Sequence, residues 1–190
     1  MKFYKEYLIH QFGSKDGNAI FKKAYSALEK LKSEAEYKEK DHERYMNNSI
    51  LPAIAFYNEL TKYLKSKEKA LKHMESCIWN NTRNNSRKQY EKLGKFPFFF
   101  GLFRKMFSTG LKNKSWDVDI TSNNKELFEY TIKKCLWADK FKEYSCPELC
   151  HIFCHNDEIN FINVSKYMTF ERTSTLANGD CCDFRFYKNK

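Results

Sequence analysis

The sequence predicts an α+β fold: an N-terminal helical layer packed on a small antiparallel sheet formed by two C-terminal hairpins with an intervening helix. Three observations carry this expectation. Apolar residues recur every three or four positions up to about residue 112 and every second position in several later segments. Aromatics reach 17% while Gly, at 6, and Pro, at 3, are scarce, which favours long helices and large packed side chains over a loop-rich scaffold. Two pairs of alternating segments near the C-terminus are each joined by a polar turn. A chain of 190 residues is long enough for one substantial core, so residues 1–190 are read as a single domain, helical over 1–112 and mixed over 113–190.

The helical part reads from Lys15 to about Leu93. Ile20, Ala24, Leu28 and Leu31 form a first stripe with Lys and Glu on the other faces. SILPAIAFYNELTKYL predicts a second helix, with Ser49 as its cap, Pro52 in its first turn and Ile54, Tyr57, Leu60 and Leu64 as its stripe. A third runs from about Glu68 to Leu93 through the polar interruption NNTRNNSR, and Gly94 stops it. FPFFFGLFRKMF, Phe96 to Phe107, reads as a short helix buried between layers, with the wall of a small-molecule pocket as the alternative.

After Gly110 the period changes. WDVDIT, the turn SNN and LFEYTIKK predict a hairpin, and Cys135 to Tyr144 a short helix. Ser145 followed three residues later by Glu148 has the pattern of a capping box, so a helix is expected from about Cys146 to Ile162. YMTFERTST and CDFRFYK around ANGDC form the second hairpin.

The formal charge of +10 invites a nucleic-acid reading. It lies entirely before residue 113, however, as Lys scattered among Glu on helical faces, the pattern of solvated surfaces rather than of a phosphate track. No apolar run approaches the roughly 18 to 20 residues of a membrane span, and the N-terminus lacks the apolar segment of a secretory signal. A cytoplasmic protein is expected, with no nucleic-acid or membrane partner; assembly into a homo-oligomer stays open. Its seven unevenly spaced cysteines are read as thiols rather than a disulfide framework.

The densest chemistry is CPELCHIFCHND, Cys146 to Asp157. Cys146, Cys150 and Cys154 share one drifting helical face. Structural zinc sites pair cysteines across a tight turn, and C-x3-C-x3-C does not, so no metal is assigned; with a contribution from Cys181 or Cys182 a thiol metal or redox sensor remains the alternative. Cys146 and Cys150 read as small hydrophobes. Cys154 has Asp157 one turn away, a carboxylate beside a thiol, which is a candidate base or substrate acceptor or else a surface ion-pair partner. Arg172 shares the strand parity of Met168 and Phe170 and so is expected to point inward, where its charge needs Asp157 or a substrate carboxylate as partner; the alternative is that it simply lies at the open end of the sheet.

FCHND followed by FERTSTLANGDCCDFRF resembles the L-2-amino-thiazoline-4-carboxylic acid hydrolase family, which carries Phe-Cys-x-x-Asp on a helix and then Phe-x-Arg-Thr-x-Thr-Leu-x-x-Gly before Cys-Asp-Phe-Arg. ILPAIAFYNEL and Cys135 also fit the family pattern, and the likeness runs from about Ile50 to Phe186. The extra Cys150 and Cys181 depart from it. The resemblance implies a hydrolase that opens a small carboxylated cyclic isothiourea to an N-carbamoyl-cysteine-type product without a cofactor. It gives Cys154, Asp157 and Cys182 as catalytic candidates and Arg172, Thr173, Thr175 and Cys135 as substrate-binding candidates. The closing hairpin also looks like that of 4-vinyl-reductase-type domains, which implies a non-catalytic small-molecule-binding module as the competing function.

Overall fold

The structure, a computed structural model, describes residues 1–37 and 39–190. Helices and a four-stranded antiparallel sheet make the fold α+β. The chain packs as two compact units that interleave in sequence: Met1–Asn81 with Lys140–Ile152, and Thr82–Asp139 with Phe153–Lys190.

The first unit is helical. Helix α1 (Lys2–Glu34) begins well before Lys15 and is broken at Gly13, whose φ of 77° is a conformation glycine adopts without a Cβ penalty. The expected stripe is its inner face, with Ile20, Ala24 and Leu28 buried. After α2 (Lys40–Tyr45), a π-helical turn at Met46–Ile50 carries the chain into α3 (Leu51–Leu64). Ser49 therefore lies within continuous helix and does not cap α3. Ile54, Tyr57 and Leu60 are buried, and Phe56 stacks on Tyr4 at 4.3 Å. Helix α4 (Lys67–Thr82) closes this run.

In the second unit the sheet has the order β1-β2-β4-β3, two hairpins joined edge to edge through β2 and β4. The hairpins are β1 (Trp116–Asn123) with β2 (Leu127–Cys135), and β3 (Met168–Glu171) with β4 (Cys182–Lys188). Alternation holds where one face is covered: Phe128, Tyr130, Ile132, Phe170, Cys182, Phe184 and Phe186 point into an aromatic core. Helix α6 (Phe99–Gly110) inserts Phe103 against Phe186 at 4.7 Å, and Phe161 meets Phe170 edge-on at 5.6 Å. The polar interruption expected near Asn80 is a second π-helical turn, Arg83–Arg87, leading into α5 (Lys88–Leu93). Gly94 follows, and a Cβ there would meet the Val164 carbonyl at 2.5 Å, so the close approach demands glycine.

Two helices separate the hairpins, α7 (Leu136–Glu143) and α8 (Leu149–Phe161). The second starts three residues later than the capping-box pattern predicts. Ser145 has a left-handed φ of 57°, and the Ser145 and Cys146 amides donate back to the Lys142 and Phe141 carbonyls. That pairing is a Schellman motif closing α7, so Ser145 ends one helix instead of starting the next. Glu148 accepts a hydrogen bond from the Tyr57 hydroxyl at 2.5 Å.

Candidate functional site

The strand β3 expected to continue to Thr175 ends at Glu171, and the reason lies in Asp183. The backbone amides of Thr173 and Ser174 donate to Asp183 Oδ1 at 2.9 and 2.6 Å rather than to a ladder partner. The Thr173 hydroxyl and Arg185 Nη1 donate to Oδ2 at 2.7 and 2.9 Å. Burial alone would raise this carboxyl, but these donors hold it below its ordinary range. The loop folds over itself so tightly that a Cβ on Gly179 would meet Ser174 Oγ at 2.6 Å. Thr175 donates to Asn178 Oδ1 at 3.0 Å. The hydroxyl protons of Thr173 and Thr175, candidates for substrate binding, are thus spent on shaping this loop.

What the loop presents is Arg172. Its side chain is only 3% exposed, lying over the rings of Phe184 at 5.3 Å and Phe170 at 5.9 Å. Nη1 donates to Asp157 Oδ2 at 2.9 Å, and Nη2 donates to Glu158 Oε1 at 2.7 Å and to the Cys154 carbonyl at 2.8 Å. The need for an anionic partner holds, but the expected strand does not reach Arg172: the side chain is buried from the loop one residue beyond β3. The partner is protein, and the guanidinium assigned to a substrate carboxylate is already shared between two carboxylates.

These two carboxylates are driven apart. Desolvation is the largest influence on Asp157, outweighs the pull of Arg172 and, with Cys154 and Glu158 pushing the same way, raises it to about 7. Glu158 also meets a desolvation penalty, but hydrogen bonds and charge from Arg172 and His155 lower its pKa. His155 Nδ1 lies 2.6 Å from Glu158 Oε2. One guanidinium thus keeps Glu158 ionised while Asp157 titrates near neutrality, a division that suits one group to carry charge and the other to move protons.

The thiols converge beside this pair. The Cys182 thiol is hydrogen-bonded to Cys154, and that bond together with burial drives its pKa far upward; its sulfur also accepts the Leu176 amide at 3.2 Å. Cys135 interacts electrostatically with both. Burial raises its thiol to about 11 against the amides of Ala138 and Trp137 and the side chain of Trp116, which favour the thiolate. Burial raises the Tyr130 hydroxyl well above its ordinary value, with the charge of Asp157 pushing the same way and that of Arg172 opposing. Cys154, Asp157, Arg172, Cys182 and Cys135 thus form one group, whereas Cys146 and Cys150 are buried core of the other unit. Among the described residues no three His, Cys, Asp or Glu side chains are grouped as a metal ion requires, and all seven cysteines are thiols.

Sequence reasoning missed Glu158, His155, Tyr130 and Asp183. The first two had a signal, since His155 and Glu158 stand at i and i+3 and Glu158 is four residues from Cys154. A further polar row holds this half of α8. Thr82 and Ser86 donate to Asn156 and Asn160, each at 2.8 Å, and Arg87 binds the Ile159 and Ile162 carbonyls at 2.9 and 2.6 Å. Thr82, Ser86 and Arg87 of that interruption are therefore partners of the site helix.

A family model described as L-2-amino-thiazoline-4-carboxylic acid hydrolase matches residues 43–186. No curated protein and no solved structure matches the chain.

Proposed function

The chain belongs to the L-2-amino-thiazoline-4-carboxylic acid hydrolase family, and from that premise we propose that it hydrolyses a small carboxylated cyclic isothiourea to an N-carbamoyl-cysteine-type product. The observation that carries the proposal is the carboxylate pair on Arg172, one member ionised and the other poised near pH 7. Asp157 is 36% exposed in its side chain, yet desolvation dominates its proton affinity.

In this reading Asp157 is the general base. It takes a proton from water as the oxygen adds to the ring carbon between sulfur and two nitrogens, and passes that proton to the ring nitrogen. The adduct then collapses as the carbon–sulfur bond breaks and its electron pair leaves on sulfur. Asp157 transfers the hydroxyl proton to that sulfur, so one water is consumed and a free thiol released. Arg172 acts as a positioning residue, and Glu158 balances its charge so that Asp157 is free to exchange protons. Cys154 and Cys182 border the sulfur side of the ring. The proposal is tested by following thiol release from 2-amino-thiazoline-4-carboxylate. Wild-type turnover with loss in Asp157→Asn is expected, and turnover unchanged in that variant removes Asp157 as the base.

A further inference from the structure

The segment from Lys92 to Lys112, KLGKFPFFFGLFRKMFSTGLK, holds Lys92, Lys95, Arg104, Lys105 and Lys112 and no Asp or Glu. One face of α6 faces the aromatic core through Phe99, Phe100 and Phe103. The other face was not anticipated from the sequence. Phe98, Leu102 and Met106, at i, i+4 and i+8, are 59%, 43% and 49% exposed. Phe96, 48% exposed, stacks on Phe98 with ring centroids 5.3 Å apart. The result is an unbroken apolar ridge about 12 Å long, at 1.5 Å of rise per residue, with Lys105 on the same exposed side and Lys92 and Lys95 at its end.

We infer that this ridge docks on an anionic lipid surface, lying in the interface with Phe96, Phe98, Leu102 and Met106 among the acyl chains. The chemistry of the rim selects this occupant. Lysine stems lie along an apolar surface while their ammonium groups reach headgroup phosphates, so a basic rim around a Phe-rich ridge suits a negatively charged interface. A second copy is disfavoured, because an antiparallel two-fold contact through this ridge would bring Lys92 and Lys95 at one end toward Lys105 of the other copy, with no acidic residue of the segment between them. No helix among the described residues is long and apolar enough to cross a membrane, so the contact is one of lying on the surface.

The test is co-sedimentation of the full chain with vesicles of neutral phosphatidylcholine and with vesicles containing phosphatidylglycerol. Binding to the anionic vesicles alone is expected, weakening as salt rises from about 0.05 M to about 0.5 M. Phe96→Ser with Phe98→Ser replaces exposed side chains, so circular dichroism and thiol release should stay at wild-type levels while vesicle affinity falls at least about tenfold. Lys92→Glu with Lys95→Glu should lower it by about fivefold or more for each lysine. Failure to bind anionic vesicles, equal binding to neutral ones, or indifference to the Phe pair overturns the inference. So does a dimer, seen by sedimentation equilibrium, that the Phe pair dissolves with no vesicle binding. None of these outcomes depends on whether the chain is a hydrolase.

Discussion

The two halves of α8 carry the same kind of residue and put it to opposite uses. Cys150, near the start, is 4% exposed, and Cys146, in the preceding turn, is 1% exposed with its thiol pushed up to about 12, chiefly by burial. Cys154, one turn further, lies beside a guanidinium, two carboxylates and a second thiol. The first pair are small apolar fillers of a helical core. The third belongs to a polar group whose members control one another's protons. What separates them is the element that arrives from elsewhere: for Cys154 it is the loop after β3, aimed by Asp183 and bringing Arg172.

The largest effect of a single substitution is expected at Arg172. Arg172→Ala leaves two carboxylates facing each other without a cation, at an expected cost of about 3 kcal/mol in stability together with loss of thiol release. Chemical denaturation at pH 7 measures the first. A variant as stable as wild type would make the network dispensable.

Asp157→Asn keeps an acceptor for Arg172 while removing the proton exchange. Thiol release should fall by about 10²- to 10⁴-fold. Stability should move the other way. With a folded pKa of about 7, above the unfolded value of about 3.9, the folded state holds this proton more tightly. Its contribution is fully present below the unfolded pKa and is lost as pH rises through about 7, so the Asn variant should melt higher than wild type at pH 8 and gain least near pH 4. Glu158, whose folded pKa is lowered, contributes with the opposite sign: its stability is present above its unfolded pKa and disappears as pH falls through the folded one. For wild type, kcat/KM should climb with pH to a plateau with a midpoint near 7. A flat profile from pH 5 to 9 contradicts a titrating base there.

Serine replacements sharpen the contrast between the thiols. Cys146→Ser buries a hydroxyl in an apolar site and should cost about 1–3 kcal/mol with turnover per folded molecule unchanged. Cys154→Ser should instead lower turnover more than it lowers the melting temperature. Equal patterns in the two variants would erase the distinction. The smallest effect is expected at Ser145→Gly, a stabilisation of about 0.5–1 kcal/mol, because the left-handed position of the α7 cap favours glycine. Destabilisation there would restore Ser145 as an N-cap.

Much of this was legible along the chain. The stripe Ile20, Ala24, Leu28 and the alternation in Leu127–Cys135 and Cys182–Lys188 report local periods that only one face of a helix or strand can satisfy. The spacing of Cys154 and Asp157 likewise put both on one helical face, whereas Arg172 is turned inward by the loop beyond β3 and not by strand parity. Tertiary structure alone decided that Asp183 would take the Thr173 and Ser174 amides and end β3, that Glu158 would share Arg172, and that Ser145 would close a helix. It also decided that one side of the Phe-rich segment would face outward. The physical reason is that hydrophobic period is a property of neighbours in sequence. The partner of a buried charge, the donor to a carboxylate and the cover over an apolar face are supplied by residues distant in the chain, and they become definite only when the elements pack.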